Sequence, residues 1–345
     1  MRGRPPAPRW VVTSVLAVVA LTVASLAGCG GKPEGPPRPV IVDTDMAADD
    51  WMAILYLLQH PGVDVIGVTV TGAGEAHCEP GIRNALDLIA LAGEEGIPVA
   101  CGRETPLEGD HTFPEAWRRS VDDLSGLDIP ASSEEPSDTS AVDLLADLII
   151  SADEPVTVLT LGPLTNVGEA LEAHPDLADA VEMIYVMGGA VDAAGNIHDG
   201  SIGNDVAEWN LYVDPHAAAL TIASGAPVTL VPLDATNDVP VTFRFYDRLE
   251  AKHTTPEATF VYDLLTKNRG FVGSGGYYFW DPLSAAVVAD ESLVEIETRS
   301  VIVIEEEGPE SGRTMASPEG HDVRVAVAAD RGAFERLFLD TLNRR

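Results

Sequence analysis

The sequence predicts an α/β fold: one domain built on a mostly parallel sheet with helices on both faces. Three observations carry this. Apolar, β-branched runs recur along the chain, as in "PVIVDTD", "VDVIGVTVTG" and "PVTVLTLG". Helical patterns separate them at regular intervals. The strands read as continuous apolar runs rather than alternating ones, as expected of strands covered on both faces.

The elements follow in order. "PVIVDTD" is a strand, and "DDWMAILYLLQHP" a helix with aspartates at its favourable N-terminal end. "VDVIGVTVTG" is the next strand and "PGIRNALDLIALAG" the next helix, with Pro early and Gly at its close. "IPVACG" is a strand, and "SAVDLLADLIISAD" a helix that Ser140 can cap. "PVTVLTLG", "VEMIYVMGG" and "PVTLVPLDAT" are strands; "PLTNVGEALEAHP" and "DPHAAALTIASG" are helices. Two zones break the rhythm. Gly102 to Thr139 is acidic and rich in Pro and Ser, and suits a lid or binding loop. Glu257 to Trp280 is a second irregular zone, ending in "GSGGYYFWDP".

The start of the chain reads as a targeting segment. Arg2, Arg4 and Arg9 precede an uncharged apolar run, Trp10 to Leu26, and "LAGC" follows. This resembles a bacterial lipoprotein signal, residues 1–28, with Cys29 as the lipidated first residue. Residues 29–39 form a flexible linker, and 40–345 the folded domain. The expected location is outside the cytoplasm, lipid-anchored at the outer face of a bacterial membrane. Cys78 and Cys101 remain. Export permits a disulfide between them, but two small buried thiols are the simpler reading.

The 345 residues, 46% hydrophobic, suffice for a sizeable core. The formal charge of -34 excludes nucleic acid and anionic membrane surfaces as partners.

Ligands of such sheets bind at the carboxyl ends of the strands. There stand Asp43, Asp45, Asp49 and Asp50 after the first strand, Glu75 and His77 after the second, Leu161 and Thr165 after "TVLTLG", and Asp234 and Asn237 after "TLVPL". Four crowded aspartates are tolerable only beside a cation. Helix capping by Asp49 or Asp50 accounts for one or two of them. An oxygen-rich set without Cys or clustered His suits Ca²⁺ or Mg²⁺, and Ca²⁺ suits a hydroxyl-rich ligand. The "GN…AEWN" segment adds Asn196, Glu208 and Asn210, which can grip several hydroxyls.

"DTDMAADD" resembles the DTDxxxDD fingerprint of the inosine–uridine-type nucleoside hydrolases. The similarity continues through "VTVTG", "RNALDLIALAG", "TLGPLTN", "YVMGGAV", "AEWN-LYVDP" and "WDPLSAA". The resemblance implies hydrolysis of the N-glycosidic bond of ribonucleosides. It implies a Ca²⁺ held by Asp45, Asp50, the Leu161 carbonyl and Asp281, with Asp45 as general base. Asp49 would bind the ribose diol, and Asn196, Glu208 and Asn210 the rest of the ribose. It also suggests a homodimer or homotetramer. Three departures stand out. Glu75 occupies or adjoins a position where many members have Asn. Trp280 precedes Asp281 where many have His, and it offers a stacking surface for a base. The loop before "AEWN" is long, so Asn196 has Asn204 as its alternative. With no His beside Asp281, His111, Trp117 and His77 are candidates to contact or protonate the base. Two further readings stay open: a lipid-anchored nucleoside- or sugar-binding protein, and a hydrolase of another ribosyl compound.

Overall fold

The computed structural model describes residues 1–3, 36–197 and 200–345. Residues 4–28 of the expected signal segment, Cys29 and most of the linker lie outside the described residues. Among the described residues, no helix is long and apolar enough to cross a membrane.

Among the described residues, nine strands form one sheet in the order β3-β2-β1-β4-β5-β6-β9-β7-β8. They are β1 (Arg38–Thr44), β2 (Val63–Val70), β3 (Val99–Cys101), β4 (Val156–Thr160), β5 (Val181–Met187), β6 (Val228–Val231), β7 (Val294–Val303), β8 (Thr314–Ala316) and β9 (His321–Ala329). From β3 through β6 to β9 every pairing is parallel; β7 then pairs antiparallel with both β9 and β8. The parallel sheet with helices on both faces is thus as the apolar runs imply. The antiparallel flank β7–β9 is not among the strands read from the sequence.

The first five long helices are α1 (Ala48–Gln59), α2 (Cys78–Leu91), α3 (Glu115–Asp122), α4 (Ala141–Ser151) and α5 (Thr165–Ala173). β1 shows how both faces are covered. Val40 and Val42 join a core containing Trp51, Leu55 and Leu57 of α1, while Ile41 joins a second core with Leu145 of α4 and Val167 of α5. Period-two side-chain alternation sends neighbours to opposite faces, so both must be apolar. α1 is buried along most of its length, from Asp50 to Leu57. It packs against the helices Trp280–Ala289 and Arg331–Leu342. Ser140 caps α4 as expected, accepting from the Asp143 N–H.

Three expectations change. Cys78 and Cys101 are joined in a disulfide, their Cα atoms 5.7 Å apart. The parallel pairing of β2 with β3 brings the start of α2 beside the end of β3, a proximity that spacing alone does not reveal. The zone from Glu257 to Trp280 is largely helical, as Pro256–Lys267 and Arg269–Ser274. Thr255 caps the first of these with Pro256 in its first turn, and Phe260, Val261, Leu264 and Leu265 fill one buried face. The insertion at 102–139 also contains a helix, α3, followed by a tight turn at Leu124–Gly126.

Candidate active site

The site is built on the β1–α1 turn. Met46 takes a left-handed backbone conformation, φ 58°, which reverses the chain between strand and helix. Two hydrogen bonds hold it: its N–H donates to Thr44 Oγ1 at 2.9 Å, and its carbonyl accepts from the Trp51 indole at 2.7 Å. This turn faces Asp45, Asp49 and Asp50 toward one another. No side chain caps α1, so Asp49 and Asp50 are not there as caps. Asp50 instead turns back on the strand. Its Oδ1 accepts from the Thr44 hydroxyl and, at 3.2 Å, from the Asp45 N–H.

Asp45 is 1% exposed and wedged between two loops. A Cβ at Gly74 would lie 2.1 Å from Asp45 Cβ, and one at Gly162 would lie 2.6 Å from it. Only glycine lets both backbones approach this closely. Asp45 Oδ2 accepts the Glu75 N–H at 3.0 Å, and its carbonyl accepts the Ala76 N–H at 2.8 Å.

Asp43 has a different place. Its Oδ1 accepts from Thr69 Oγ1 at 2.6 Å and from Asn166 Nδ2 at 2.7 Å, which ties β1 to β2 and α5 behind the site.

Asp281 enters from the first turn of the helix Trp280–Ala289. Carboxylate oxygens of Asp49, Asp50 and Asp281 all lie within 4.8 Å of one another. Asp45 is the neighbouring carboxylate, and its charge acts on both Asp50 and Asp281. Among the described residues, Asp50 Oδ2 and Asp281 Oδ1 are buried without a hydrogen-bond donor. Two donors nearby are also unpartnered: the Tyr277 hydroxyl and the Trp280 indole N–H. The charges bearing on the Tyr277 hydroxyl are those of Asp49, Asp281 and Glu75. The sequence reading missed Tyr277, although the "GGYYFWDP" run contains it.

The opposite wall comes from the segment after β5. Glu208 caps the short helix Trp209–Val213 and accepts the N–H groups of Asn210, Leu211 and Gly189. Asn210 Nδ2 donates to the Leu161 carbonyl at 2.9 Å and to that of Met187 at 3.2 Å. Leu161 and Asn210 therefore meet. Asn196 Oδ1 accepts the Trp209 N–H at 3.0 Å, and Asn196 is only partly buried. Asn204 is committed inward: it donates to the Ser311 carbonyl and accepts from Val206 and Ala207. The geometry thus separates the two asparagines, leaving Asn196 as the one with a side chain beside Glu208's helix. Asp234, another strand-end acid, accepts the backbone N–H groups of Val191 and Asp192.

The three candidates for contact with the base each have partners within the protein. His111 stacks on Tyr212, centroids 4.1 Å apart, and its Nδ1 donates to the Tyr212 carbonyl at 2.6 Å. Its Nε2 lies 3.1 Å from Glu307. Both ring nitrogens are engaged by the protein, so His111 anchors the insertion and leaves no nitrogen for a nucleobase. His77 Nδ1 is 2.7 Å from Asp122. Trp117 is 45% exposed and meets the buried Trp209 edge-on.

Burial dominates the electrostatics. Desolvation lifts the carboxyls of Asp43, Asp45 and Glu208 to about 7 and that of Asp49 to about 6. It drives Asp50, Asp281 and Glu75 well above the ordinary range, and repulsion from the neighbouring Asp45 and Asp49 adds to this. A divalent cation reverses such shifts. The site fits one: two orphaned carboxylate oxygens, further carboxylates around them, and no sulfur or imidazole among the donors.

Comparison with known proteins agrees with this geometry. Residues 40–336 match the sequence profile described as inosine-uridine preferring nucleoside hydrolase. A pyrimidine-specific ribonucleoside hydrolase RihA from Shewanella sp. (strain MR-7) is 32% identical over 325 residues, covering 88% of this chain and 96% of that protein. A plant nucleoside hydrolase, PpNRh1, superposes with a TM-score of 0.80 at 30% identity, over 90% of this chain and all of that one. A purine-preferring ribonucleoside hydrolase from Gardnerella vaginalis gives 0.77 at 28% identity, over 89% and 98%. The chain belongs to the inosine-uridine preferring nucleoside hydrolase family and is an N-glycosidic bond hydrolase.

Proposed function

We propose that the protein is a Ca²⁺-dependent ribonucleoside hydrolase that releases ribose and a free base. The observation that carries this is the cluster of Asp49, Asp50 and Asp281, with buried Asp45 as its neighbour and two orphaned oxygens, at the carboxyl end of β1. Asp45, Asp50, Asp281 and the Leu161 carbonyl would hold the ion, with Asp49 beside them. When bound, the ion neutralises the carboxylates and acts as a Lewis acid toward hydroxyl oxygens and water.

The chain's own groups do the rest. Asp45, held in one orientation by the Glu75 N–H, accepts a proton from the attacking water. Asp49 and Glu75 face the ribose diol; Glu208, Asn196 and Asn210 bind the sugar from the opposite wall. The C1′–N bond breaks with positive charge growing on the sugar, which surrounding carboxylates stabilise electrostatically. Trp280 gives the base an aromatic face beside Tyr277 and Tyr278, their centroids 6.0 and 5.6 Å away. Such a face suits a purine best.

The reading extends to location. The "LAGC" motif supports export and lipid attachment at Cys29, and a disulfide suits an oxidising compartment. A homodimer or homotetramer is the assembly we expect, and light scattering measures it.

The test is ribose release from a panel of purine and pyrimidine nucleosides by the purified chain, with its metal content determined. We expect one Ca²⁺ per chain, release fastest from purine nucleosides, and a loss of about 10²- to 10⁴-fold in Asp45→Ala. Retention of a nucleoside without release would instead establish a binding protein. Release only from other ribosyl compounds would change the substrate.

A further inference from the structure

Arg118 is a long cation buried to 8% exposure in a protein with a large excess of acid, yet it forms no ion pair among the described residues. A buried guanidinium without a carboxylate is costly unless hydrogen bonds hold it. Its Nη2 donates to the Gly72 carbonyl at 2.8 Å and to the Ala76 carbonyl at 3.3 Å. These two carbonyls bracket the loop that holds Asp45: Gly74 presses on its side chain, while the Glu75 and Ala76 N–H groups bind it. The rest of α3 is fixed to the same region. Asp122 accepts the His77 N–H at 2.9 Å, and Asn84 donates to the Val121 and Asp122 carbonyls.

We propose that Arg118 is a positioning residue: it clamps the back of the Gly72–Ala76 loop and so fixes the hydrogen bond that orients Asp45. The insertion at 102–139 then acts through α3 as a brace on the general base. Nη2 makes both carbonyl bonds while Nη1 donates to the Thr112 hydroxyl at 3.5 Å, so the planar guanidinium spans the loop and the insertion at once, whereas Lys presents a single ammonium. A displacement of the base by about 1 Å is enough to cost on the order of a hundredfold in rate.

This rests on the hydrolase reading, so the test includes a readout that needs no turnover. Arg118→Met, Arg118→Lys and the control Arg119→Met, at an exposed position, are made in the full chain. Amide hydrogen exchange is followed by mass spectrometry alongside nucleoside hydrolysis. In Arg118→Met, exchange across residues 72–77 rises by about tenfold or more while β1 and β4 keep their protection. Turnover, kcat, falls roughly tenfold to a hundredfold with KM changed less than about threefold. Arg118→Lys lies between, and added guanidinium restores part of the Met variant's rate. Unchanged exchange at 72–77, exchange raised evenly over the whole chain, or kcat within about twofold of the parent overturns the proposal. If the parent hydrolyses no nucleoside, the hydrolase reading fails, and the exchange result alone decides whether Arg118 holds the loop.

Discussion

The parallel half of the sheet and its antiparallel flank solve burial in opposite ways. In β1 the residues from Val40 to Thr44 are all buried, including Asp43. In β7 Glu295, Glu297 and Thr298 are exposed, and Val301 alone is fully buried. Parallel strands need crossover helices, which close both faces; antiparallel strands can leave one face to water. A carboxylate in the first region is therefore forced to find a partner or a proton. In the second it stays solvated. The functional carboxylates gather in the first for that reason: desolvation makes them bind something.

The largest expected effect tests this directly. Asp43, Asp45 and Glu208 ionise near 7 in the folded chain without a cation, against 3.8 for an ordinary Asp and 4.5 for an ordinary Glu. Between these values the folded state holds more protons than the unfolded one. Stability of the chelated protein must therefore fall as pH rises from about 4 to about 7. Thermal melts across that range should show the fall, and added Ca²⁺ should restore stability at pH 7. A flat profile would mean the carboxylates are less desolvated than their burial implies.

Next in size is the disulfide, which closes a loop of 23 residues around α2 in the parallel half. The Cys78→Ser, Cys101→Ser double variant should lose about 3 kcal/mol in denaturant melts under oxidising conditions. Tyr277→Phe should lower kcat/KM by about tenfold, the effect of one hydrogen bond of roughly 1.5 kcal/mol, with little change in melting temperature because the hydroxyl has no protein partner. The smallest effect belongs to the flank. Arg299 pairs with Asp192 and Glu297, both exposed, and Arg299→Ala should change stability by less than about 1 kcal/mol. A larger loss there would show that the flank is more than a solvated edge.

Much of the parallel half was legible because its burial is written as continuous apolar runs with helical patterns between them. The flank was not. "VEIETRSVIV" mixes charged and apolar residues, as a strand with one wet face does, and its partner β9 lies about 20 residues further on. The helix Pro256–Lys267 hid for a similar reason: only one stripe of it is apolar, and polar residues interrupt the run. Within the site, the aspartates and the "AEWN" segment announced themselves by charge and by family resemblance. Tyr277 did not, since an aromatic residue near a helix start reads as core until its hydroxyl is found without a partner.

The sequence by itself determined the order of strands and helices across the parallel half, the strand ends at which acids gather, and the family. It could do so because periodicity, capping and charge crowding are local properties of the chain. Tertiary structure decided the rest: that Asp43 faces Thr69 and Asn166 behind the site while Asp50 turns toward Asp281, that Asn204 turns to the Ser311 carbonyl while Asn196 meets the Trp209 N–H, that His111 is an anchor, and that Arg118 reaches the loop behind Asp45. Each of these depends on which groups the fold brings within hydrogen-bond reach across tens of residues. In a desolvated interior, that proximity fixes which polar group is satisfied and which is left for a ligand.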